Sequence, residues 1–233
     1  GPGTLGRRMT IDTLLAHDLP LFAGLSAPDF TGLPVPCTTR PVAAWEILFN
    51  QQDPGRDVHF LLSGTLLALY WTPDGREIIF SRFAPGAYFG ELSALGDGDR
   101  SLAVVARSDA TVLAIPAATF RQLFDRVPAL RWRITRDLVA RIRSLTARNL
   151  ELTTYSVEQR VASYLLGLAV ERGQLRAGGQ IDDAPTHADI AATIGSNREM
   201  VSRAMGGLVR KGAIRTARQR IHILDPKALA EGF

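Results

Sequence analysis

Cysteine, lysine and long apolar runs are nearly missing from this 233-residue chain, and each shortage excludes something. A single cysteine, Cys37, rules out an intrachain disulfide and any four-cysteine zinc or iron–sulfur site. One lone thiol is expected of a protein kept in a reducing cytoplasm. The four histidines (His17, His59, His187, His222) lie far apart and form no ligand motif, so no bound metal is expected. No apolar run approaches the ~20 residues that a membrane-spanning helix requires, so no membrane partner is expected. The opening GPGTLGRR has no apolar core behind it, so no signal peptide is expected there; residues 1–8 are set aside from the fold. There is no P-loop, nucleophile elbow or clustered acid–base pair, so enzymatic activity is not expected.

Lysine is scarce but positive charge is not. Of 27 basic residues only Lys211 and Lys227 are lysines, and the formal net charge is +4. Arginine's planar fork donates two parallel hydrogen bonds and suits phosphate and base-edge recognition. The hydrophobic (46%) and charged (21%) fractions are ordinary for a globular chain long enough for two modest domains.

The texture changes along the chain. Broken helical pieces run from Ile11 to Phe30, interrupted by Pro20, Gly24 and Pro28. Short β-rich runs follow at 47–49, 58–62, 66–71, 77–83, 102–106 and 111–115, with turn signals such as Asp74-Gly75 between them. Evenly spaced short strands predict a sandwich or a barrel-like, jelly-roll-type β-roll. From Pro128 a stretch free of Gly and Pro predicts one long helix to Tyr155. Leu138, Ile142, Leu145, Asn149 and Leu152 form a heptad seam along it, either for a second copy or for packing within its own domain. The expected organisation is α+β, with a β-roll domain at 11–127, a long helix at 128–155 and a third domain at 156–233.

Two segments carry chemistry. FGELSALGDGDRS (Phe89 to Ser101) has an early carboxylate, a late guanidinium and three glycines, a spacing suited to a small anion bearing a hydroxyl. Asp97 and Asp99 within it argue against an anion and are expected to face solvent. Farther on, THADIAATIGSNREMVSRAMGGLVRKGAI (Thr186 to Ile214) predicts a helix-turn-helix. Thr186 with Asp189 forms a capping-box pattern, Gly195 permits the turn, and Ser196 or Asn197 caps the second helix. That helix opens with Arg198-Glu199 and carries Arg203 a turn later. Seven basic residues against one acid lie between Arg198 and Arg220, a patch suited to phosphates. Ile214 to Thr216 and Ile221 to Leu224 predict a small hairpin, making the domain a winged helix that binds double-stranded DNA.

On these motifs the chain resembles the CRP/FNR family of bacterial transcription regulators. IGSNREMVSRAM is similar to the family's recognition helix, and VHFLLSGTL with APGAYFGEL is similar to its cyclic-nucleotide-binding domain. The resemblance implies a homodimer that reads a TGTGA-type palindrome. DNA contacts are implied at Ser196, Asn197, Arg198, Glu199, Ser202 and Arg203, and at Arg218 on the wing. It implies a cyclic-nucleotide effector, cAMP first, with cGMP, cyclic di-GMP or no ligand as alternatives. Glu91 would accept from the ribose 2′-hydroxyl, Arg100 would pair with the cyclic phosphate, and Ser101 would sit beside it. Phe89, Gly90 and Leu92 complete that cradle, and Leu145 and Thr146 lie where the family meets the base. RNA polymerase is an implied partner, with the Glu171 to Gln180 loop as a contact surface. A regulatory module of a kinase or channel is the lesser reading, because such modules need no winged helix.

Overall fold

In the computed structural model, residues 11–96 and 98–231 are described. Asp99 is therefore among the described residues, whereas Asp97 and the set-aside residues 1–8 lie outside them. The chain divides into two compact units between Arg141 and Ile142.

The N-terminal unit begins with α1 (Ile11–Leu15) and two 3₁₀ turns, Pro20–Phe22 and Ala27–Phe30. The strands are β1 (Thr38–Val42), β2 (Ile47–Phe49), β3 (Val58–Ser63), β4 (Leu66–Trp71), β5 (Glu77–Phe83) and β6 (Tyr88–Phe89). After α2 (Glu91–Leu95) come β7 (Ala103–Ala106), β8 (Ala110–Ile115) and α3 (Ala117–Arg126). Two four-stranded sheets result, ordered β1-β8-β3-β6 and β2-β7-β4-β5, with every pairing antiparallel. Strand β3 shows why the alternation of a half-exposed sheet is absent there. Phe60 enters one core with Phe22 and Leu113, while the next residue, Leu61, enters another with Val104 and Val112. Both faces are covered, so the apolar run Phe60-Leu61-Leu62 replaces the alternation.

The long helix α4 (Pro128–Thr154) forms as expected, one residue short of Tyr155. Its first half is anchored by Leu130 and Ile134, which are fully buried in the first core. In its second half the seam residues Ile142, Leu145 and Leu152 are exposed at 63%, 55% and 45%.

The C-terminal unit contains α5 (Val157–Glu171), β9 (Gly179–Asp182), α6 (His187–Ile194), α7 (Arg198–Arg210), β10 (Ile214–Ala217), β11 (Arg220–Ile223) and α8 (Pro226–Ala230). Helices α5, α6 and α7 share one core, including Val161, Leu165, Ile190, Val201 and Leu208. Each such fully buried aliphatic side chain contributes about 1.5–3 kcal/mol. The expected hairpin pairs Ile214 with Ile223 and Ala217 with Arg220, and it gains a third strand, β9, on β11. Gly179, expected in a loop, starts that strand, where any side chain would strike Gln174 O.

Candidate effector and nucleic-acid sites

The first site is built around α2. Gly90 precedes the helix at φ +89°, a conformation an L-residue rarely adopts. A Cβ there would lie 2.5 Å from Arg100 Nη1 and 2.7 Å from Asp57 O, so glycine lets the two elements close on each other. Arg100 is 4% exposed. Its Nη1 donates to Gly90 O at 3.2 Å and its Nη2 to Asp57 O at 2.6 Å. Its guanidinium lies 4.1 Å from the Phe49 ring centroid. Glu91 is 1% exposed, and its Oε1 accepts from Arg141 Nη1 on α4 at 2.5 Å. Burial pushes the Glu91 carboxyl up, opposed by Arg141 and Arg100. Burial lowers the Arg100 guanidinium, opposed by Asp57 and Glu91.

A cavity of about 70 Å³ is lined by both residues together with Phe89, Gly90, Leu92 and Ser101. Six of the sequence-predicted effector positions are thus brought together. Leu145 and Thr146 belong to the C-terminal unit, exposed on α4, where Thr146 Oγ1 donates to Ile142 O. Two buried polar atoms of the lining residues have no protein partner: Glu91 Oε2, an acceptor, and Arg100 Nε, a donor. Buried polar groups are nearly always paired. One acceptor and one donor fit a small molecule with a hydroxyl and an anionic oxygen, so the residues present fit a cyclic nucleotide.

Sequence reasoning missed two participants. Arg141 lies fifty residues from Glu91, and no local pattern connects them. His59 on β3 stacks on Phe89, with ring centroids 5.5 Å apart and 11° between planes. Its Nδ1 is buried without a partner. Burial, with Arg100 and Arg40 nearby, pulls its pKa down to about 3. Phe83 also stacks on Phe89, at 4.8 Å between centroids. The aromatic cluster packs the wall behind Arg100.

The second site is the α6–α7 pair. Thr186 and Asp189 form the expected capping box on α6, and Gly195 closes it at φ +69°. Of the two cap candidates for α7, Asn197 serves, its side chain accepting from Met200 N at 2.9 Å. Ser196 instead sits in the turn, its N–H donating to Ala191 O at 2.9 Å. Ala191, Val201 and Leu208 are buried in the core that the two helices share. Arg198, Glu199, Ser202 and Arg203 are exposed on α7, and Arg218 is exposed at the wing tip. Ser202 has a partner the sequence did not suggest: its Oγ lies 2.7 Å from His187 Nδ1 at the start of α6. Within the basic patch Lys211 is held by Glu158, and Arg220 by Asp182 at 2.9 Å. An exposed Arg-Glu start on a capped helix beside a basic wing can present forked donors to base edges and charge to phosphates.

No helix among the described residues is long and apolar enough to cross a membrane, and no group of metal-ligating side chains occurs among them. Residues 39–127 match the model of the cyclic nucleotide-binding domain, and residues 159–231 match that of the Crp-like helix-turn-helix domain. The chain is 31% identical to the cyclic AMP receptor protein of Thermus thermophilus, over 91% of its own length and 95% of that protein's. It is 27% identical to a CRP-like cAMP-activated global transcriptional regulator of Mycobacterium tuberculosis, covering 78% and 82%. Among solved structures, a CRP-family transcriptional regulator from Thermus thermophilus is 27% identical, with a TM-score of 0.61 over 82% of this chain and 94% of that one. A CooA mutant from Carboxydothermus hydrogenoformans shares the fold at a TM-score of 0.73 and 17% identity, covering 84% and 87%. With a β-roll that matches the cyclic nucleotide-binding domain and a C-terminal unit that matches the Crp-like helix-turn-helix domain, the chain belongs to the CRP/FNR family of DNA-binding transcription regulators.

Proposed function

We propose that this regulator is switched by cAMP bound in the β-roll, and that it reads a TGTGA-type palindrome as a homodimer. The observation that carries the effector reading is the pair of orphaned atoms on one cavity, Glu91 Oε2 and Arg100 Nε. The carboxylate accepts from the ribose 2′-hydroxyl, and the guanidinium pairs with the cyclic phosphate. Ser101 and the backbone around Gly90 complete the cradle. The cavity is smaller than the roughly 300 Å³ at which ligand sites begin, so binding shifts side chains at its mouth. Leu92, 54% exposed, is free to move outward. The relatives named for cAMP support this ligand ahead of cGMP and cyclic di-GMP.

The dimer reading rests on the exposed stripe of Ile142, Leu145 and Leu152 on α4. Asn149 in the same seam would fix register between two copies. Leu145 and Thr146 then lie near the base and tie ligand to seam geometry. The two recognition helices would address half-sites one DNA turn apart. Arg198, Glu199 and Arg203 read bases, Ser196, Asn197 and Ser202 complete that contact, and Arg218 meets a phosphate. RNA polymerase is the proposed downstream partner, and the cytoplasm the compartment.

Isothermal titration with cAMP, cGMP and cyclic di-GMP tests the effector. cAMP is expected to bind the wild type and to lose at least tenfold affinity in Arg100→Ala. Equal cAMP affinity in Arg100→Ala, or binding of another nucleotide alone, overturns the assignment.

A further inference from the structure

The turn between α6 and α7 is gripped by two arginines from outside the pair. Arg160 on α5 donates through Nη1 to Ile194 O at 2.7 Å and to Gly195 O at 3.2 Å. Arg148 on α4 donates through Nη2 to Thr193 O. Three successive carbonyls at the end of α6 thus face two guanidinium groups. The C-terminal end of a helix carries partial negative charge, so cations are favoured there. The carbonyls lie immediately before Ser196 and Asn197, the turn and the cap that start α7.

The two arginines are not equivalent. Helix α5 already shares the α6–α7 core through Val161 and Leu165, so Arg160 adds to a contact that packing enforces. The second half of α4 contributes none of that core's buried residues. It reaches the helix-turn-helix through a few side chains. Arg148 holds Thr193 O, Ser163 Oγ donates to Glu151 Oε1 at 3.1 Å, and Leu152 lies over Gly195, where an added Cβ would meet it at 3.3 Å. Arg148 is half-buried, and burial lowers its guanidinium, opposed by Glu151.

We infer that Arg148 is a positioning residue for DNA reading, holding the entry turn of the recognition helix to α4. Through Thr193 O it fixes where α7 begins, and so where Arg198, Glu199 and Arg203 point. It touches no DNA. Any change in the setting of the second half of α4 reaches the recognition helix through this bond and Leu152. The inference rests on the DNA-reading role proposed for α7, and the test keeps the two apart.

The test uses the full chain as wild type, Arg148→Ala, Arg148→Lys and Arg160→Ala. Anisotropy is measured on a duplex that the wild type selects from a random pool and on a scrambled duplex of the same length. Failure of the wild type to select any duplex would sink the DNA-reading role itself. Arg148→Ala is expected to lose about tenfold on the selected duplex and less than twofold on the scrambled one. A merely destabilised domain would lose on both. Arg160→Ala is expected to lose less than Arg148→Ala, because packing of α5 keeps the turn in place. The salt slope on the selected duplex stays unchanged, because no phosphate contact is removed. Arg148→Lys keeps a cationic donor of similar reach and recovers most of the loss. A second readout needs no DNA: the Ser196 amide exchanges at least tenfold faster in Arg148→Ala, while β10 and β11 keep their protection. Equal losses on both duplexes with a salt slope lower by about one would make Arg148 a phosphate contact and overturn the inference. Unchanged Ser196 exchange would overturn it as well.

Discussion

Gly90 is the position at which backbone, site and stability are most tightly joined, and alanine there perturbs all three. Its φ of +89° costs an L-residue about 1–2 kcal/mol, offset by about 0.4–1 kcal/mol from the reduced freedom of the unfolded chain. Gly24 isolates that backbone cost, since its φ is +71° and nothing lies within 4 Å of an added Cβ. Gly24→Ala should therefore cost about 1 kcal/mol, or roughly 2–4 °C in Tm for a chain of this size. At Gly90 the added methyl also drives Arg100 from Gly90 O and Asp57 O. Stripping a buried guanidinium of those bonds costs a further ~2–3 kcal/mol. The total is about 3–4 kcal/mol, or roughly 6–16 °C. Gly64→Ala is the control for crowding elsewhere: its φ is +87°, its Cβ would strike Asp109 O, and it does not line the cavity. Thermal unfolding of the three variants, followed by cAMP titration below their melting points, separates the effects. Gly64→Ala should lose stability and keep the ligand, whereas Gly90→Ala should lose both. A Gly90→Ala protein that melts with Gly24→Ala would refute the reasoning, because Arg100 would then have moved at no cost.

Burial also sets the pH dependence of stability. His59, held at about 3, stays neutral in the folded chain while the unfolded chain takes up a proton near 6.5. Its contribution is therefore complete above about 6.5 and is lost as pH falls toward 3, by at most ~1.4 kcal/mol per pH unit. Glu91 has the opposite sign: its carboxyl is raised, so falling pH restores stability between that raised value and the ordinary one. Tm measured across pH should fall below 6.5 in the wild type, flatten in His59→Gln and steepen in Glu91→Gln; parallel curves would sink this account. For the seam, Ile142→Asp places a charge on a side chain 63% exposed in one copy. Sedimentation should show a dimer turned monomer with an unchanged far-ultraviolet spectrum, and an unaltered mass would remove the dimer reading.

The elements legible in the sequence were those whose determinants are local. Asp74-Gly75 between two apolar runs specified the β4–β5 hairpin, and it forms with Leu66 opposite Phe83. Thr186, Asp189, Gly195 and Asn197 are caps and a turn, and each acts within four residues of itself. The missed elements depend on distant partners. Strand β1 contains Pro41 and is held by β8 some seventy residues away. Strand β6 is two residues long and exists because β3 is beside it. Strand β9 begins at a glycine and is defined by β11. In the cavity, the carboxylate and guanidinium were legible as residue types at a spacing. Their burial, and the Arg141 that holds one of them, were not.

That burial changes what the cradle asks of a ligand. Each charged group arrives partly satisfied by the protein itself: Glu91 through Oε1 on Arg141, and Arg100 through two backbone carbonyls. The groups are therefore already oriented, and a ligand need supply only one hydroxyl donor and one anionic acceptor. Preorganisation of this kind reduces the ordering cost of binding. It also confines recognition. Phe49, Ala68, Phe83, Phe89, Leu102 and Val104 give the cavity an apolar side, while Ser93, Ser101 and Arg141 add polar groups to its lining. The apolar side accepts the flat face of a purine and itself offers no hydrogen bond to the base edge. On the proposed reading, sugar and phosphate are met by Glu91 and Arg100, and discrimination between adenine and guanine falls to the polar groups outside this apolar side, Ser93 and Ser101 in the lining and Thr146 as the proposed further donor.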